Sequence, residues 1–120
     1  MKSYNWIINK TEDYIEDHLS EKITLTDITN ELGISKYHFH RIFRKQSQEP
    51  LNKFITRIKM ERSAIYLSVN SSISITEIAY RYGYSESSTY NRAFKKHFGI
   101  SPLKFRKEQE MSRNKYRNLV

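Results

Sequence analysis

Apolar residues along this chain recur at helical spacing in short, sharply bounded runs. Leu25, Ile28 and Leu32 fall at i, i+3 and i+7, and Ile75, Ile78 and Tyr82 repeat that spacing fifty residues later. Such spacing lines one side of an α-helix. Both runs are bounded alike. Thr24 stands three residues before Asp27, and Ser74 three before Glu77. A hydroxyl at that distance from a carboxylate satisfies free N–H groups at a helix start. Gly33 and Gly83 follow the runs, where a helix ends in a left-handed residue. Ser35 and Ser85 are then placed to cap a second helix. In those second helices Phe39, Ile42 and Phe43, and later Tyr90, Ala93 and Phe94, form the core side. Each copy therefore predicts a short helix, a tight turn and another helix, the helix-turn-helix unit.

The segments around these units also read as helical. LNKFITRIKMERSAIYLS, residues 51–68, contains neither Gly nor Pro. Leu51, Phe54, Ile58 and Ile65 form one stripe on it, with Met60, Ala64 and Leu67 nearly opposite, as expected of a helix sandwiched between two modules. Its span of about 27 Å approaches the ~34 Å between successive major-groove faces of B-DNA. Residues 4–19 predict an amphipathic first helix with Trp6, Ile8, Ile15 and Leu19 in the core. Ser101–Pro102 suits a helix start, so a last helix is expected over about 102–110. The expected organisation is 1–50 as a first subdomain, 51–68 as a connecting helix and 69–110 as a second subdomain. Residues 111–120 are expected to be a basic tail or the start of a linker.

The two units are an internal repeat. ITLTDITNELG at 23–33 matches ISITEIAYRYG at 73–83, and ISKYHFHRIFRK continues against YSESSTYNRAFKK with one residue inserted. Beyond the insertion the offset is 51, pairing Arg41 with Arg92 and Phe43 with Phe94. Three Gly and two Pro among 120 residues leave little room for hairpins, which favours an all-α fold. No run approaches the ~20 apolar residues of a membrane span, no secretory signal is visible, and the absence of Cys excludes disulfides and thiolate metal sites. A cytoplasmic protein is expected.

Charge narrows the function. Twenty-one Lys and Arg against thirteen Asp and Glu give +8, a balance suited to a polyanion. The cations are interspersed with acids, unlike a polybasic membrane tether. Opposite the apolar side of the second helices, Tyr37, His40, Arg41 and Arg44 share one face of the first unit. Ser88, Asn91, Arg92 and Lys95 share the corresponding face of the second. These side chains donate and accept hydrogen bonds as base edges in a major groove require. Arg41 and Arg92 can fork onto guanine, and Asn91 suits adenine. A merely solvated face is the competing reading, though Lys and Glu normally dominate such a surface. Lys36, Arg44, Lys45, Lys95 and Lys96 are candidates for the DNA backbone, with Lys59 and Arg106 as further ones.

SITEIAYRYGYSESSTYNRAFKKHFGISPLKFR and ISKYHFHRIFRK resemble the signature of the AraC/XylS family of bacterial regulators, the likeness covering about residues 6–108. The resemblance implies seven helices in two helix-turn-helix subdomains joined by a long central helix. It also implies a monomer on double-stranded DNA, with reading helices in adjacent major-groove segments, and activation through contact with RNA polymerase. Carried over by position, base contacts fall to Tyr37, His40 and Arg41, and to Ser87, Ser88, Asn91 and Arg92. Small members of the family carry Trp at the position of Tyr37 and Gln at that of His40, so the preferred DNA sequence should differ. The chain also resembles DNA-binding modules that precede an effector domain, which leaves a stand-alone activator and part of a ligand-responsive regulator both open.

Catalysis finds little support. His18, His38, His40 and His97 form no triad with carboxylates for zinc, no Gly-rich phosphate loop occurs, and the Ser residues suit caps and turns. No cofactor or metal is expected. A helical protein-interaction module would need an exposed apolar stripe. An RNA-binding domain would need an aromatic-bearing sheet or a GXXG loop.

Overall fold

The computed structural model describes residues 5–117, and among them there are seven α-helices and no strand. They are α1 (Asn5–Asp17), α2 (Leu25–Leu32), α3 (Lys36–Ser47), α4 (Leu51–Val69), α5 (Ile75–Arg81), α6 (Ser87–Phe98) and α7 (Pro102–Arg117). The chain forms two compact units that meet in sequence between Lys59 and Met60, within α4.

In the first unit α1, α2 and α3 pack on one another around a core of Ile7, Ile15, Ile28, Phe39, Phe43 and Phe54. Phe43 stacks on Phe39 at 5.1 Å and meets the Phe54 ring edge-on at the same separation. Thr24 closes a reciprocal capping box: its Oγ1 accepts from the Asp27 N–H at 3.1 Å, and the Asp27 carboxylate accepts from the Thr24 N–H at 2.9 Å. Hydrogen bonding to the Asp27 carboxyl, from the Thr24 side chain first and then from its backbone N–H, holds it below the usual carboxylate range. Gly33 ends α2 at φ +70°, and the Gly33 and Ile34 N–H groups both return to the Thr29 carbonyl. That left-handed residue makes the sharp turn into α3.

In the second unit α5, α6 and α7 pack in succession. Met60, Leu67, Ile78, Ala79, Tyr90 and Phe94 are fully enclosed. Ser74 Oγ accepts from the Glu77 N–H at 3.1 Å, and Gly83 carries the turn at φ +87°. Phe94 touches Tyr90, Phe98 and Phe105, fixing α6 against α7.

Several expectations are corrected. Ile15 is in the core, but Trp6, Ile8 and Leu19 sit at its margin, and Ile7 and Thr11 take the innermost positions on α1. Thr11 is tolerated there because its hydroxyl donates to the Ile7 carbonyl at 2.7 Å. Ile65, assigned to a buried stripe of α4, is 54% exposed, while Ile55 and Ser63 are buried. The last helix, expected to end near residue 110, continues to Arg117. Ser85 does not cap α6. The inserted residue moves the helix start into the 51-residue register, so the counterpart of Ser35 is Glu86.

Candidate nucleic-acid interface

Each unit holds its second helix with an aromatic side inward and a polar side outward. Ser35 caps α3, its Oγ accepting from the His38 N–H at 3.0 Å. Phe39, Ile42 and Phe43 hold the inner side of the helix in the core. The outer side therefore points to solvent, and Tyr37, His40, Arg41 and Arg44 are all exposed on it, Tyr37 to 79%. Lys36 and Lys45 flank this face and are also exposed. No acidic residue lies within α3.

In the second unit Tyr90 and Phe94 hold α6 inward. Ser88, Arg92, Lys95 and Lys96 are exposed, and Ser87 and Asn91 are half-buried. Ser88, Asn91, Arg92 and Lys95 repeat the spacing of Tyr37, His40, Arg41 and Arg44, and Ser87 lies at the edge of that face in the first position of the helix. Among the described residues, neither Arg41 nor Arg92 is held by a hydrogen bond or an ion pair. Both guanidinium forks are free to bind. Arg44 and Lys45 end α3, and Lys95 and Lys96 end α6, where cations also favour the helix dipole.

Two of the further cations are occupied elsewhere. Arg106 is buried, donating from Nε to the Leu67 carbonyl at 3.3 Å and from an η nitrogen to that of Asn70 at 3.1 Å, so it ties α7 to the end of α4. Lys59 Nζ donates to the Glu21 carbonyl at 2.7 Å, and partial burial lowers its pKa. Burial withdraws Arg106 from a phosphate, whereas Lys59 is half-buried with one of its three N–H donors engaged. Arg57, by contrast with the free arginines, is clamped to Glu49 at 2.7 Å and lies 5.1 Å over the Phe54 ring.

Sequence reasoning passed over Glu86, which begins α6 without a side-chain capping bond and whose carboxylate accepts from Ser88 Oγ at 3.3 Å. The signal was present in the repeat, since the 51-residue register sets this acid opposite the capping Ser35.

Two turn-linked helix pairs, each fixed inward by aromatic residues and bare and cationic outward, define a helix-turn-helix DNA-binding protein. The family model described as a helix-turn-helix domain matches residues 28–108. The chain belongs to the AraC/XylS family of DNA-binding transcription regulators. It is 36% identical over 101 residues to the Msm operon regulatory protein of Streptococcus mutans, a match spanning 84% of this chain and 36% of that protein. It is 34% identical over 99 residues to the multiple antibiotic resistance protein MarA of Escherichia coli, covering 82% of this chain and 77% of MarA. The chain thus spans about a third of the first relative's length and most of the second's. Its fold matches the DNA-binding domain of AdpA, a global transcriptional factor solved with a target DNA, at a TM-score of 0.75 and 18% identity over 95% of this chain and 98% of that one. Among the described residues, no helix is long and apolar enough to cross a membrane.

Proposed function

We propose that this regulator reads an asymmetric double-stranded site by placing α3 and α6 in adjacent major-groove segments. Tyr37, His40 and Arg41 contact bases from the first unit, and Ser87, Ser88, Asn91 and Arg92 from the second. Lys36, Arg44, Lys45, Lys95 and Lys96 neutralise phosphates and set the register. The protein binds as a monomer in the cytoplasm, performs no chemistry and activates transcription through contact with RNA polymerase. The observation that carries this reading is the pair of free arginines, Arg41 and Arg92, at equivalent positions on the exposed faces of α3 and α6. A bidentate fork onto guanine O6 and N7 is the commonest specific contact in the major groove. Support for DNA as the partner comes also from family membership and from the AdpA domain, which was solved on its target.

The test is selection of preferred sites from random duplex DNA, followed by binding measurements with Arg41→Ala and Arg92→Ala. Each substitution should cost roughly 1–3 kcal/mol on the selected site and relax preference at one position. Unchanged affinity in both, with a larger loss from a Lys59 substitution, would show that the DNA face lies elsewhere.

A further inference from the structure

Glu86 is out of place on two counts. It occupies the capping position of α6 without capping it, whereas its counterpart Ser35 caps α3. It also sets a carboxylate beside a face otherwise built for a polyanion: α6 itself contains Arg92, Lys95 and Lys96 and no acid. The helix dipole favours a carboxylate at this end, so what sets Glu86 apart is the acid it places beside a cationic reading face.

Its one described side-chain bond indicates a role. An ionised carboxylate only accepts hydrogen bonds, so the 3.3 Å contact turns the Ser88 hydroxyl hydrogen toward Glu86. In that orientation Ser88 offers lone pairs outward, as does the second carboxylate oxygen. The start of α6 is therefore rich in acceptors, on the face that carries the Asn91 amide and the Arg92 donors. In the major groove the only donors on base edges are the exocyclic amino groups, N6 of adenine and N4 of cytosine. Guanine and thymine present oxygen there, and the backbone presents phosphate.

We propose that Glu86 and Ser88 act together as a specificity-determining pair that accepts from the amino group of an adenine or cytosine and disfavours guanine and thymine at that position. This rests on α6 being a major-groove reader. Glu86 acts partly through Ser88, by fixing which way its hydroxyl points, and partly as a direct acceptor.

The experiment selects sites from a random duplex library with the native protein, Glu86→Gln, Glu86→Ser and Arg92→Ala, and follows thermal unfolding of each. The native protein should favour amino-bearing bases at one position by about fivefold or more, the discrimination typical of such contacts. The Gln amide can donate to Ser88 and free its hydroxyl, so Glu86→Gln should largely abolish that preference. Glu86→Ser restores a capping hydroxyl, so it should lose the same preference while raising the unfolding temperature. A structural role alone would not move stability and specificity in opposite directions. If both Glu86 variants keep the native profile while Arg92→Ala changes its own position, the Glu86 inference fails and α6 remains a reader. If Arg92→Ala also leaves the profile intact, α6 does not read bases and both conclusions fall.

Discussion

Tyr90 shows how one side chain can set the stability of a unit. It is fully buried, and its hydroxyl donates to Ser63 Oγ at 2.9 Å, which in turn donates to the Met60 carbonyl at 2.8 Å. Burial pushes the phenol from 10.0 up to about 12, against a smaller lowering by the Ser63 bond. A raised folded-state pKa contributes stability that is complete below the unfolded value and is lost as pH climbs through the folded one. The loss should therefore begin near pH 10 and continue to about pH 12, amounting to ~2 kcal/mol from this group. Tyr90→Phe should cost about 1 kcal/mol at neutral pH, the net value of a buried hydrogen bond. Denaturation of both proteins from pH 7 to 11 should show the native advantage shrinking and reversing above pH 10. A gap that stays constant would mean that the phenol is not protected as described. The same scale explains what sequence could not separate. Arg106 and Arg92 look alike in the chain, yet Arg106 finds carbonyls 39 and 36 residues away, at the end of another helix. Pairing at such a distance leaves no local pattern.

At the scale of elements, the repeat made most of the fold legible because caps and turns are local chemistry. Thr24, Ser35, Gly33 and Gly83 do what their spacing indicates, and Ser74 caps α5 by one bond from the Glu77 N–H, without the reciprocal bond that Thr24 and Asp27 share. Ser85 misled because one inserted residue shifts the helix start to Glu86, while capping propensity favours the serine before it. Ile65 misled because α4 is covered differently along its length, which its own sequence does not record. The repeat also reveals an imperfection. Gln48 ends α3 at φ +60°, the one described non-glycine residue with positive φ, whereas its counterpart Gly99 ends α6 at φ +84°. The left-handed conformation costs an L-residue roughly 1–2 kcal/mol, partly offset in practice by the greater unfolded-state freedom of glycine. Gln48→Gly should therefore stabilise the protein by about 0.5–1 kcal/mol. Gly99→Ala should destabilise it by a similar amount, through backbone strain alone, because open space surrounds the position of the added Cβ. Chemical denaturation of the two variants checks the pair, and shifts of the same sign would contradict this account of the helix ends.

For the whole molecule the distribution of charge matters more than its total. Ten basic and eight acidic residues precede Met60, and eleven basic and five acidic follow, so the excess of +8 divides into +2 and +6. The first unit is not a weaker DNA binder on that account. Glu12, Asp13, Glu16 and Asp17 all lie on α1, and α3 carries Lys36, Arg41, Arg44 and Lys45 with no acid. The net charge of a unit thus understates the field at its reading face, and local cations displace counterions where they meet phosphate. Composition made a polyanionic partner legible. Burial distinguishes the cations further, enclosing Arg106 while Arg41, Arg44, Arg92, Lys95 and Lys96 stay exposed on α3 and α6. With about 6–10 phosphates neutralised, the logarithm of the binding constant should fall against that of salt concentration with a slope of roughly −5 to −9. Substituting Lys45 or Lys96 should flatten that slope by about one unit, lowering affinity for selected and unrelated duplexes alike. Arg92→Ala should instead weaken the selected site more than unrelated DNA, because a base contact carries sequence preference and a phosphate contact does not. Titrations at several salt concentrations separate these behaviours. Should Lys96 and Arg92 variants lose affinity in the same proportion on both kinds of DNA, the division of α6 into reading and anchoring residues would be wrong.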